Sequence, residues 1–125
     1  MNKLIVCGQR DYRDIFKLYS AMSGICWSMG GPENVELVVG EEDGGLNSEA
    51  IAIAGNKGMR HIMFDVSKYA NTPSPVAVQL AKMREYCYGH RTVVLVVGAG
   101  QDNTVSEFAS SIEKAPDFTV QFLPS

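Results

Sequence analysis

The residues best suited to chemistry fall in three clusters, each opened by a glycine. Gly8-Gln9-Arg10-Asp11 follows the apolar run Leu4–Cys7. Gly40-Glu41-Glu42-Asp43-Gly44-Gly45 follows Val35–Val39. Gly98-Ala99-Gly100-Gln101-Asp102-Asn103-Thr104 follows Thr92–Val97, the most apolar run of the chain. A strand that ends in glycine and opens a helix lets the backbone come close to a ligand. The unpaired N–H groups of the helix start then face a phosphate. In this setting Arg10 suits a phosphate, bidentate where geometry allows. Thr104 can add a hydroxyl beside the helix N–H groups. Glu41, Glu42 and Asp43 would repel phosphate, but they suit ribose hydroxyls, an adenine amino group or a divalent cation.

Each of these residues also has a plain structural reading. Glycines that end strands often serve only a special backbone angle. Arg10 can pair with Asp11, Asp14 or the acidic loop, as exposed arginines commonly do. Asp11 is a candidate cap for the first helix, and Asn103 for the last. Three adjacent acids are most often a solvated turn. Glu107, in the first turn of the last helix, favours the helix dipole whatever its chemistry. His61 and His90 lack metal-ligand spacing, so no metal site is expected. Trp27, Tyr86 and Tyr88 suit packing at least as well as base stacking. Met59, Met63 and Met83 read as core filler.

Strands and helices alternate to place these clusters. Leu4–Cys7, Val35–Val39, Arg60–Asp65, Thr92–Val97 and Phe118–Leu123 read as strands, the last as a sheet edge. Between them lie helical stripes at Ile15, Leu18, Tyr19 and Met22, at Leu46, Ala50, Ile53 and Ala54, at Val76, Leu80, Met83 and Cys87, and at Val105, Phe108, Ala109 and Ile112. Ser74-Pro75 is a helix start, and Lys68–Pro75 reads as an irregular loop. The pattern predicts one α/β domain over residues 1–125. It is a Rossmann-like three-layer fold with a mostly parallel five-stranded sheet and helices on both faces. The first strand is expected at the centre, with the three glycine clusters gathered on one rim.

Composition narrows the function classes. The chain has 125 residues, 46% hydrophobic and 20% charged, with a net charge of −3. This balance fits one folded domain. It lacks the basic face that long nucleic acid would need, and it leaves a small anionic ligand open. Cys7, Cys26 and Cys87 are odd in number and have no CxxC spacing, so reduced thiols in a cytoplasmic protein are expected. No leader or membrane span is expected either.

The arrangement resembles the SLOG superfamily, and within it the small YspA-like branch common in phages and bacteria. The likeness rests on Gly8-Gln9-Arg10-Asp11-Tyr12, on Val38-Val39-Gly40 with its Gly-rich turn, and on Gly98 through Glu107, where Thr104 and Glu107 answer the superfamily's late Gly-Thr and Glu positions. The resemblance implies a nucleotide or ADP-ribose-derived ligand on the rim, a homo-oligomer, no cofactor and a role in handling nucleotide signals, such as a phage protein acting against host defence. There are departures. Leu46 or Asn47 stands where relatives carry an aspartate. Val76, Ala77 and Val78 follow Pro75 where relatives carry an Arg-Asn pair, and the nearest arginine, Arg84, lies about two helical turns further on. Losing that arginine while keeping the glycines favours binding without turnover. A phosphoribohydrolase or deoxyribosyltransferase-like N-glycosidase stays open, with Glu107 and Arg84 as candidate catalytic groups. So does a regulatory or structural protein without a small ligand.

Overall fold

Side chains alternate between two cores in this computed structural model, which describes residues 1–41, 45–98 and 103–124. Five strands, β1 (Asn2–Gly8), β2 (Val35–Glu41), β3 (Arg60–Asp65), β4 (Thr92–Val97) and β5 (Phe118–Leu123), alternate with four helices. These are α1 (Ile15–Ser28), α2 (Gly45–Lys57), α3 (Pro75–Cys87) and α4 (Asn103–Ile112). The sheet order is β3-β2-β1-β4-β5 and every pairing is parallel. The expected central first strand and Rossmann-like α/β class are therefore found, and the sheet is parallel throughout.

Leu4, Val6, Leu37, Val39 and Leu95 pack under α1 and α2. Ile5, Cys7, Val38, Val94 and Val96 pack under α3 and α4 on the opposite face. Strands buried on both faces read as unbroken apolar runs, which accounts for β1 and β4. All six residues of β4 are buried.

Several expectations need correction. In α1, Leu18 and Met22 are buried with Ile25 and Cys26, while Ile15 and Tyr19 are 46% and 41% exposed. The buried stripe is rotated toward the helix's later turns, where the sheet lies beneath it. Asp14, not Asp11, caps α1 and accepts from the Lys17 amide at 3.1 Å. Met59 and Met83 are core residues, but Met63 points off the exposed edge strand β3. The loop before α3 begins with a 3-10 turn at Val66–Tyr69, held by Asp65. The three cysteines are free and buried, and burial pushes the Cys87 thiol up to about 12.

At the amino edge of the sheet a partly buried polar cluster joins three elements. Lys3 donates to Glu36 at 2.7 Å, and the Tyr86 hydroxyl donates to the same carboxylate oxygen at 2.6 Å. The Lys3 ammonium also lies 4.6 Å from the Tyr86 ring centre, and Tyr86 meets Phe64 edge-on. Lys3 and Glu36 face each other in the β1–β2 register. The cluster lies at the end of the sheet opposite the glycine clusters and ties α3 to the strands.

Candidate functional site

The site is built where the chain reverses direction across the sheet. From β1 it winds outward through β2 to β3, then crosses to β4 on the other side of β1. In open α/β sheets ligands settle at the carboxyl ends of the strands near such a reversal. A cavity of about 230 Å³ lies over the carboxyl ends of β1 and β2, where Gly8, Arg10 and Gly40 line it. Asn47 from the first turn of α2 and Gln79 from α3 complete its polar wall, and Leu80 and Met83 form its apolar floor. Sites for whole drug-sized ligands span about 300–1,000 Å³. This cavity has room for only part of a ligand of that size.

Each rim glycine allows two parts of the protein to touch. Gly8 has φ +137°, and a Cβ there would meet the Val97 backbone, 2.7 Å from its nitrogen and also against its carbonyl oxygen. The Gln9 amide then donates to that carbonyl at 2.8 Å, locking β1 to β4. Gly45 has φ +76° and lies against the Arg10 carbonyl, which accepts from the Leu46 amide at 2.9 Å. One of the free N–H groups at the start of α2 is thus already used by the β1–α1 turn. Gly98 packs against the Gln9 side chain, and Gly40 leaves room for the Gln79 amide.

Gln79 was not singled out from the sequence. It is 4% exposed and donates through Nε2 to the Phe64 carbonyl at 2.7 Å. That bond fixes the amide's orientation, because a carbonyl can only accept, and leaves Oε1 as an acceptor. The signal was available: position 79 falls on the stripe shared by Leu80, Met83 and Cys87, and a polar residue on an apolar face needs a reason. Asn47 was noticed only as the residue near a missing aspartate.

The remaining predicted residues are spread around this cavity. Arg10 is exposed at its mouth. Gln9 donates from Nε2 to Asp11 at 2.9 Å, and its buried Oε1 has no hydrogen-bond partner among the described residues. Asp14 pairs with Lys17 at 3.8 Å. Glu41 ends β2 opposite Asp65, and Asn103 is the first residue of α4; their side chains lie outside the described residues. Glu42, Asp43, Gly44 and Gly100 also lie outside them. Gly45 lines a neighbouring hollow with Tyr12 and Glu49. Thr104, Arg84 and Glu107 line a separate groove of about 250 Å³ between α3 and α4. The structure thus brings Gly8, Arg10 and Gly40 together and gathers the two catalytic candidates elsewhere.

Trp27 and Tyr88 are 68% and 82% exposed, so neither packs in the core. Among the described residues no group of three or more His, Cys, Asp or Glu side chains is placed to hold a metal ion, and no helix is long and apolar enough to cross a membrane. No family model, curated protein or solved structure matches the chain.

Proposed function

We propose that this protein binds a nucleotide or an ADP-ribose-derived molecule at the carboxyl edge of β1 and β2 and releases it unchanged. The observation that carries this reading is the cavity joining Gly8, Arg10 and Gly40. Arg10 supplies positive charge for a phosphate, and Asn47 and Gln79 supply amides for a base or a ribose. The described lining offers amides, one guanidinium and apolar side chains, groups that suit holding a ligand. Sequestering a nucleotide signal in the cytoplasm, as a homo-oligomer, is the role that the SLOG resemblance adds.

An N-glycosidase remains the second reading because Arg84 and Glu107 share one groove. Gly8, Gly40, Gly45 and Gly98 do not line that groove among the described residues. Release of free base from a nucleoside monophosphate would favour this reading.

Arg10→Ala tests the first reading. Charge-assisted hydrogen bonds contribute about 1.5–3 kcal/mol, so calorimetry against nucleoside phosphates, ADP-ribose and cyclic ADP-ribose should show roughly 10- to 100-fold weaker binding. The melting temperature should fall by no more than a few degrees, because interactions of an exposed arginine contribute about 1 kcal/mol or less. Equal affinity in the variant would remove Arg10 from the site.

A further inference from the structure

The two edges of the sheet are built differently. β3 carries Arg60, His61 and Asp65 and runs into a 3-10 turn that packs against α3. Charge and a covering turn are common ways to protect an open edge. β5 reads Phe-Thr-Val-Gln-Phe-Leu, with no charge, glycine or proline in its six residues. Phe122 is 55% exposed, and Thr119 and Gln121 are exposed on the other face.

The register shows which backbone groups of β5 are unused by the sheet. The Thr92 amide donates to the Asp117 carbonyl and the Gly98 amide to the Leu123 carbonyl, both at 2.7 Å. In a parallel ladder this fixes Asp117, Thr119, Gln121 and Leu123 as the residues bonded to β4. Phe118, Val120 and Phe122 then turn their amides and carbonyls outward. The Phe118 amide makes a long 3.4 Å turn bond to Ala115. Pro124, next in line, has no N–H to offer and ends the run.

We propose that β5 pairs antiparallel with β5 of a second copy about a two-fold axis at Val120, joining two sheets into one. The outward groups are symmetric about that residue. Each Val120 amide donates to the other copy's Val120 carbonyl, and each Phe122 amide donates to the other's Phe118 carbonyl. Phe122 then lies across from Phe118 and Thr119 across from Gln121, so no like charges oppose each other. On the α1 face there is room beside the edge, a groove of about 460 Å³ between Phe16, Ala21 and Leu123. Phe16, 88% exposed, would cover the incoming strand. The same pairing sets Asp117 of the second copy across from Leu123, beside Lys17, so opposite charges meet at the rim of the contact.

Sedimentation of the full chain over a range of concentrations tests this. The expected result is a dimer that Phe122→Lys converts to a monomer of half the mass, while Tyr88→Lys, at a still more exposed aromatic outside β5, leaves it dimeric. Thr119→Cys combined with Gln121→Cys should cross-link the two copies under mild oxidation. Non-hydrogen-bonded antiparallel pairs hold their Cα atoms about 4.5 Å apart, within disulfide reach, and the native cysteines are buried. A protein that stays monomeric throughout would overturn the proposal. So would a dimer indifferent to Phe122→Lys that fails to cross-link.

Discussion

Gly8→Ala is expected to destabilise the fold by about 3 kcal/mol or more. A methyl at this position points into the Val97 backbone of the neighbouring strand. No rotamer change relieves a clash with a main chain that is itself paired on both sides in the centre of the sheet. The φ of +137° adds strain for any L side chain. Thermal unfolding should show a fall in Tm of roughly 10 °C or more. Two comparisons make the cause specific. At Gly40 the added methyl meets the end of the Gln79 side chain at 2.5 Å, so Gly40→Ala should cost less, about the 1–3 kcal/mol of a disturbed buried hydrogen bond. At Gly24, inside α1, nothing lies within 4 Å, and Gly24→Ala should stabilise by about 0.5–1 kcal/mol. Equal effects at all three positions would contradict the assignment of Gly8 to the β1–β4 contact.

Lys3→Met should cost about 3–5 kcal/mol, because it leaves the Glu36 carboxylate partly buried without its cation. Lys3→Met with Glu36→Leu should recover much of that loss, since well-packed apolar residues often replace a buried pair without penalty. The pair also sets the pH dependence of stability. Burial alone would raise the Glu36 carboxyl, but the bonds from Lys3 and Tyr86 and the charges of Lys3 and Arg60 hold it below its ordinary value of 4.5. Burial alone would lower the Lys3 ammonium, but Glu36 outweighs it and the pKa is raised above 10.5. The Glu36 contribution is present above its unfolded pKa and is lost as pH falls through the lower folded value. The Lys3 contribution is present below its unfolded pKa and is lost as pH rises through the higher folded value. Denaturant titrations should therefore show this part of the stability flat between about pH 5 and 10 and falling on both sides. The double variant should lose both slopes.

Much of the fold was legible because periodicity and burial coincide in it. β3, β4 and β5 have the predicted limits, and the stripes of α2 and α4 are the buried residues of those helices. α1 misled because Ile15 and Tyr19 keep helical spacing with Leu18 and Met22 yet stay exposed, with the Tyr19 ring against the Lys57 ammonium of α2. The glycines were legible as a rim, but not the reason for Gly8. Its neighbour is Val97, distant in the chain, and only the strand order puts the two together. Gln79 was hidden by the apolar residues around it, although its polarity on that stripe was the clue. Arg84 and Glu107 could not be placed from spacing alone, because the groove they share depends on how α3 packs against α4.

Native mass spectrometry of the protein with the nucleotide and ADP-ribose panel tests the central claim most directly. One adduct per chain is expected, recovered unchanged on denaturation and formed only at roughly 10- to 100-fold higher ligand concentration by Arg10→Ala. An empty protein across the whole panel, or recovery of free base and ribose phosphate, would contradict it.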